Sequence, residues 1–452
     1  MLSPSLAATL LAMLVPSAPK PETGRPNVVV IMADDLGAAE LGCYGNANHD
    51  TPHLDQLARE GMRFRTCYAT PICSPSRVLI MTGRYGVHTG WYNFTGRPGS
   101  PTFRNPNYRL SEHEVTFGTV LRDAGYKTAL AGKWQLTGER PTLIHEDGFD
   151  EYCIWAYKEY LPEGVTHTGR WEGKGKSRTA RFWHPSIMKN GEYVPTKPED
   201  YGPEIFTDFI IDFMTENKDD PFLVYYPMCL THTPWEPAPS KESPSGKTPK
   251  GLKYNVESMD TQVGRIVATL DRLGLREKTL ILFTGDNGTN NAGKGQVTEM
   301  GARVPLIASC PKTVVSDVVS DELVDLSDVF PTVLAFAGVA TPSGLEIDGE
   351  NLLPTLEGSK SPHRDWIFSY LHRYRLLRDR RWLLDGEGHF YDCGDRRDGK
   401  GYRDVTESKD PEVVAARARF ASILAGLPAP TSIPPCPYVE KHRERLLNMS
   451  SR

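Results

Sequence analysis

In the string Cys73-Ser-Pro-Ser-Arg77 a reactive sulfur and a guanidinium stand at a fixed offset on either side of a proline. Proline suits the first position of a helix, where its missing N–H costs nothing, and the apolar residues 78–81 continue that helix. Its positive N-terminus and Arg77 would then face whatever occupies position 73, which makes an anion site around a reactive side chain. An ordinary buried cysteine ahead of a helix fits the same five residues. Further along, Asp34, Asp35, Asp286 and Asn287 offer three carboxylates and an amide, an all-oxygen set for a hard divalent cation. Calcium or magnesium fits, calcium the preferred of the two, and zinc does not. Arg77, Lys133 and Lys294 supply positive charge for a tetrahedral anion, and His232 is the natural acid for a departing alkoxide. Taken singly each has a plain reading: Asp35 and Asp286 as cap or turn residues, Lys133 as a solvated charge, His232 as a loop histidine.

These residues matter only if the fold gathers them. Residues 27–32, Asn-Val-Val-Val-Ile-Met, form an apolar, β-branched run of the kind found in buried parallel strands, and it ends in Ala33-Asp34-Asp35. Strands are also expected over 127–131, running into Gly132-Lys133-Trp134-Gln135, over 221–226, leading to His232, and over 279–283, ending at Asp286-Asn287. Helices over 51–61, 116–124, 205–214, 259–273 and 325–337 alternate with them. That alternation implies an α/β fold with a large, mostly parallel sheet flanked by helices. In such sheets ligands collect outside the carboxyl ends of the strands, where all four polar endings lie.

After Pro362 short strand-like runs at 366–371, 374–377, 381–384 and 389–391 precede a helix over 411–424. They predict a small C-terminal antiparallel sheet with one helix. The resulting division is a main unit over 26–355, a C-terminal α+β unit over 362–427 and a tail over 428–452. Residues 157–201 are polar and without sustained periodicity, and read as a long surface excursion.

The 452 residues, 39% hydrophobic and 24% charged, are those of a soluble globular protein, and a net charge of −5 argues against general binding to nucleic acid or anionic membranes. An anionic ligand must therefore be met by local charge. The eight cysteines lack the spacing of a zinc site, and if Cys73 reacts an odd seven remain. The apolar run 6–15 followed by Pro16-Ser17-Ala18 reads as a signal peptide over 1–18 and hence export to the periplasm or the medium, while no run is long enough to span a membrane.

Cys73-Ser-Pro-Ser-Arg77 is one of nine short motifs in sequence that include Pro26-Asn-Val-Val-Val-Ile-Met-Ala-Asp-Asp35, Thr82-Gly-Arg84, Gly132-Lys-Trp134, His232-Thr-Pro234, Asp286-Asn-Gly288 and Gly293-Lys-Gly295. In type and order they resemble the type I sulfatases of the alkaline phosphatase superfamily, over residues 26 to about 425. The resemblance implies an alkaline-phosphatase-like fold and a sulfatase acting on a sulfated small molecule or glycan. It implies that a formylglycine-generating maturation enzyme oxidises Cys73 to formylglycine, and that Asp34, Asp35, Asp286 and Asn287 hold the metal together with residue 73. Arg77 would steady the aldehyde hydrate, and Lys133, His232 and Lys294 would bind the sulfate, His232 also protonating the leaving oxygen. The hydrate would attack sulfur in line, and its second hydroxyl would then expel sulfate.

One position departs from the family pattern: Gln135 stands where Gly-Lys-Trp-His is common, and an amide cannot take a proton near neutral pH. Another base, His88 or a metal-bound oxygen, would then complete the second step. Two rivals follow: a formylglycine-dependent phosphodiesterase or phosphonate monoester hydrolase, and a non-catalytic binder of sulfated glycans. In the excursion, Arg170, Lys174, Lys176, Arg178 and Arg181 near Trp171, Phe182 and Trp183 suit either sugar subsites or a solvated basic loop. Asn93, Asn287 and Asn448 head glycosylation sequons.

Overall fold

Every residue of Asn27–Ala33 (β1) is buried, and the strand's side chains divide between two apolar layers: Val28, Val30 and Met32 to one, Val29, Ile31 and Ala33 to the other. A strand covered on both faces has no polar side to show, which is why its sequence is continuously apolar. The same holds for Phe222–Pro227 and Thr279–Gly285, also buried throughout. In this computed structural model the described residues are 24–431 apart from 106, 137–142, 158–160 and 164–178. The expected signal peptide, most of the tail, Cys436 and Asn448 lie outside them.

Ten strands make the main sheet: β1, β2 (Met62–Tyr68), β3 (Lys127–Gly132), β4 (Glu151–Trp155), β5 (Ile187–Lys189), β6 (Glu192–Val194), β7 (Phe222–Pro227), β8 (Thr279–Gly285), β9 (Arg303–Ser309) and β10 (Val318–Asp325). Their order is β10-β2-β9-β8-β1-β7-β3-β4-β5-β6. The consecutive run β8-β1-β7-β3-β4 is parallel throughout, so those strands end on one edge of the sheet. β9 is antiparallel to both β8 and β2, which restores β2 to the direction of β8 and brings its carboxyl end to that same edge. One apolar layer takes in Val78 to Met81, Phe117 and Val329 to Leu334; the other takes in Leu54, Phe206 to Met214 and Val256 to Leu270.

Several details differ from the sequence expectation. The helix at the signature is Cys73–Thr82, so Cys73 is its first residue and Pro75 its third; the N-terminal turn is closed by Ser76, whose hydroxyl accepts from Thr70 N at 3.0 Å. The helix expected over 259–273 begins earlier, at Leu252, and that over 325–337 divides into a 3-10 turn, Leu326–Asp328, and Val329–Phe336. The excursion over 157–201 is not all surface loop: its end supplies the antiparallel hairpin β5-β6 that extends the sheet from β4, and Arg181 and Phe182 are buried. Short strands in polar sequence carry too few residues to show a period.

The second sheet is antiparallel, in the order β11 (Trp366–Leu371), β12 (Tyr374–Asp379), β13 (Trp382–Leu384), β14 (Phe390–Asp392), β15 (Arg403–Asp404), followed by the helix Pro411–Ala425. The fifth strand, two residues long, was absent from the expected four. A buried polar knot fastens this sheet to the first: Glu299 accepts from Tyr68 Oη at 2.6 Å, from Tyr402 Oη at 2.7 Å and from the fully buried Arg378. No helix among the described residues is long and apolar enough to cross a membrane.

Candidate active site

At the carboxyl edge of β1 the chain turns through Asp34 and Asp35, both fully buried, with Asp35 in the left-handed region at φ 61°. Aspartate tolerates that conformation better than most residues. Here it aims the Asp35 backbone N–H at Asp286 Oδ1, 2.9 Å away beyond β8. The segment leading to His232 is laced to the same edge, Asp34 N donating to Leu230 O and Thr231 N to Asp34 O, both at 2.7 Å. At the end of β3, a Cβ on Gly132 would stand 2.1 Å from Pro227 O, so only glycine lets the chain pass β7 and deliver Lys133. Lys133 N then donates to that same carbonyl at 2.7 Å.

The side chains converge. Lys133 Nζ donates to both oxygens of Asp34, at 2.9 and 2.8 Å. Arg77, 1% exposed, donates to Asp286 Oδ2 at 2.7 Å and to Lys133 O at 2.8 Å, and lies 3.6 Å from Asp34 Oδ1. Lys294 Nζ is 2.6 Å from Asp35 Oδ1, which also accepts from Asn287 Nδ2 at 2.9 Å. His232 Nε2 stands 3.7 Å from Asp35 Oδ2. Cys73, fully buried, joins them: its Sγ and one oxygen each of Asp34 and Asp35 lie within 4.8 Å of one another. Nine residues from six segments of chain thus meet at one spot. Arg77 interacts electrostatically with Cys73 while its Nη1 and Nη2 hydrogen-bond the Lys133 carbonyl and Asp286.

Burial penalises charge throughout the cluster, and the balance differs residue by residue. Burial pushes the Asp34 carboxyl up, but Lys133, His232, Arg77 and Lys294 together outweigh it and hold the group well below the usual carboxylate range. For Asp286 burial and the charge of Asp34 prevail over Arg77 and Lys133, and its pKa is pushed up to about 7. Burial also pushes the Cys73 thiol up against the pull of Lys133 and Lys294, so as a thiol it is a poor nucleophile. Burial first, then Lys294 and Arg181, hold the His232 imidazole well below its ordinary value. Lys294 is lowered by burial but raised further by Asp35 and the other anions, and stays charged.

Two acceptors in the cluster, Asp35 Oδ2 and Asn287 Oδ1, are buried without a hydrogen-bond partner. Leaving a buried polar atom unsatisfied costs about 1–3 kcal/mol, so two orphaned oxygens in a cluster that holds three carboxylates fit a bound cation. The donor set is all oxygen apart from Cys73, which suits a hard divalent ion.

Other sequence candidates fall elsewhere. Gln135 is buried at φ 71° with Oε1 unpartnered, two residues past Lys133. His88 Nδ1 pairs with Asp348 at 2.8 Å. Asn93 is 1% exposed and donates to Pro98 O, and Asn287 is in the cluster, so neither offers a free amide for a glycan. The seven cysteines among the described residues are free thiols. Residues 170, 171, 174, 176 and 178 of the excursion lie outside the described residues. Arg181 is described, and it is no solvated subsite residue: its Nη2 lies 2.8 Å from His232 Nδ1. The sequence offered it only as a sugar-subsite or solvated loop residue, because nothing in the 50 intervening residues signals a contact with His232.

Residues 26–339 match the family model described as Sulfatase. The chain is 32% identical over 459 residues to steryl-sulfatase of Mus musculus, covering 83% of this chain and 72% of the relative. It is 33% identical over 385 residues to N-acetylgalactosamine-6-sulfatase of Rattus norvegicus, covering 79% and 69%. Among solved structures, Ps i-CgsB in complex with k-i-k-neocarrahexaose is 26% identical with a TM-score of 0.72, over 88% of this chain and 92% of that one.

Proposed function

Because this chain belongs to the sulfatase family of the alkaline phosphatase superfamily and is a sulfuric ester hydrolase, we propose that it cleaves sulfate esters of carbohydrates using a formylglycine at position 73 and one divalent cation. The observation that carries this reading is the placement of Cys73 against Asp34 and Asp35 in a buried pocket of charges. Asp34, Asp35, Asp286 and Asn287 would hold the cation, calcium ahead of magnesium, where it would add electrostatic pull on the sulfate oxygens. Formylglycine at 73 would supply, as its hydrate, the oxygen that attacks sulfur.

The remaining work falls to fixed side chains. Arg77, anchored by Asp286 and the Lys133 carbonyl, places a permanent charge one helical turn from residue 73. Lys133 and Lys294 provide two further cations, each held by a carboxylate and hence ordered before substrate arrives. His232 turns Nε2 toward the cluster, where it would protonate the departing oxygen. Gln135 cannot take a proton but can hydrogen-bond the hydrate.

A carbohydrate substrate is supported by N-acetylgalactosamine-6-sulfatase among the relatives and by the similar Ps i-CgsB, whose structure holds k-i-k-neocarrahexaose. Export, from the apolar run at residues 6–15, and a maturation enzyme for residue 73 belong to the same reading. The test is the mass of the proteolytic peptide bearing residue 73, in protein from its native host, with assays on sulfate, phosphate and phosphonate esters in parallel. An aldehyde and preference for sulfate are expected; an intact thiol in active protein would sink the mechanism.

A further inference from the structure

Arg181 reaches the site from the sheet's edge and is 2% exposed. Its guanidinium lies over the Trp155 ring at 4.7 Å, at the end of β4, and near Phe182 at 5.6 Å. An arginine stacked on an indole is held in one plane, so its N–H directions are set in advance. Nη2 carries two hydrogens, and two groups stand before it: the Thr233 carbonyl and His232 Nδ1. Thr233 is fixed in turn, its hydroxyl accepting from Asn290 Nδ2 at 2.8 Å.

The tautomer follows from donor and acceptor counting. His232 Nδ1 also lies 2.5 Å from Thr233 O, and it cannot both donate to that carbonyl and accept from Arg181. A guanidinium has no lone pair to offer. With one Nη2 hydrogen on Thr233 O and the other on Nδ1, both arginine contacts are satisfied and the imidazole proton sits on Nε2, Nδ1 and the carbonyl sharing the guanidinium rather than a hydrogen of their own; a proton on Nδ1 would instead set a donor against Nη2. That nitrogen is the one facing Asp35, at 3.7 Å.

We propose that Arg181 is a positioning residue for His232: seated on Trp155, it fixes the ring by its Nδ1 edge and turns Nε2–H, as a hydrogen-bond donor, toward the charge that develops on the departing oxygen of the ester. This rests on the role given above to His232, and it deepens that role by naming what orients the ring. Its signature is selective. A group that assists departure matters greatly for a poor leaving group, such as a sugar hydroxyl, and little for a nitrophenol that leaves unaided.

The experiment measures kcat/KM of the formylglycine-bearing enzyme on aryl sulfates of graded leaving-group pKa and on a sugar sulfate, for wild type, Arg181→Met, Arg181→Lys, His232→Ala and the Arg181→Met/His232→Ala double variant. For Arg181→Met a loss of about 10- to 100-fold is expected on the poorest leaving groups, by analogy with the loss when the partner that orients a metal-bound histidine is removed. On nitrophenyl sulfate the loss should stay within about twofold if leaving-group assistance is all that is lost. Arg181→Lys should recover part of it, and the double variant should be no worse than His232→Ala. An equal loss on every substrate, or additivity with His232→Ala, overturns the positioning role. If His232→Ala itself shows no leaving-group selectivity, the assignment of His232 fails first, and the proposal with it. Thermal melts of each variant identify loss of fold, and guanidinium ion added to Arg181→Gly gives a second reading: selective rescue on poor leaving groups supports the role, and rescue of none opposes it.

Discussion

Lys133 Nζ touches both carboxylate oxygens of Asp34, at 2.9 and 2.8 Å, with the lysine side chain 2% exposed and the aspartate not at all. A buried pair of this kind is a poor source of stability but a good way to fix a charge in place. Lys133→Met is therefore expected to lower kcat/KM on aryl sulfates by about 10²-fold or more, the scale for losing one preorganised charge contact. Lys133→Arg should not restore it, since a planar fork does not replace a point charge. Metal analysis of the purified variant should still find the cation, because Asp35, Asp286 and Asn287 are intact.

Asp35 Oδ2 and Asn287 Oδ1, buried and unpartnered, predict that a divalent cation stabilises the fold. Calcium at about 100 times its Kd should add about 2.7 kcal/mol, read as a raised denaturation midpoint. Chelation should reverse the gain, and Asn287→Ala should shrink it. A midpoint indifferent to calcium and magnesium alike would count against the cation.

The Asp286 carboxyl, raised by burial and Asp34 to about 7 from an ordinary 3.8, favours the protonated folded state. In metal-free protein its contribution is therefore full below about pH 4 and is lost as pH rises to about 7. His232, held below its ordinary 6.5, contributes the opposite slope, stability falling as pH drops below 6.5. The two overlap, so the Asp286 contribution is read as the difference between wild type and Asp286→Asn. That difference should decline from pH 4 to 7, and a flat difference would refute it.

Gln135 predicts a kinetic asymmetry. If no base near residue 73 assists expulsion of sulfate, wild type should show a rapid first turnover followed by a slower steady state. Gln135→His should raise the steady-state rate by up to about 10²-fold, the lower end for general base catalysis, with the first turnover unchanged. Stopped-flow detection of the released alcohol separates the phases, and a steady state unmoved by histidine assigns the base elsewhere.

Glu299 takes hydrogen bonds from Tyr68, Tyr402 and the buried Arg378 where the two sheets meet. Glu299→Ala leaves that guanidinium uncompensated, and a loss of about 3–5 kcal/mol is expected. Urea unfolding followed by tryptophan fluorescence measures it; a loss under about 1 kcal/mol would show that the knot is ornamental.

The strands that carry the cluster were legible because both their faces are buried: Asn-Val-Val-Val-Ile-Met-Ala and Thr-Leu-Ile-Leu-Phe-Thr-Gly admit few other readings. Their polar endings followed from the rule for parallel sheets. The strands β2, β9 and β10 were not legible as a group, since periodicity says that a segment is extended but not which neighbour it pairs with. The inversion at β9, which returns Cys73 to the working edge, is a matter of pairing alone. Arg181 stayed hidden for the same reason: a basic residue in a polar stretch looks solvated until Trp155 and His232 are placed around it.

Cys73 opens a helix all ten of whose residues are buried, with its own side chain fully covered. Under the formylglycine reading, accessibility would impose an order of events on its history. If residue 73 is oxidised as proposed, the oxidising enzyme would have to meet it on an extended chain, before β2 and the helix close over it, and maturation and folding would compete for the same nascent segment. Slow folding would raise the active fraction and rapid folding would trap inert thiol protein, and a refolded thiol form offered to the oxidising enzyme should stay a thiol.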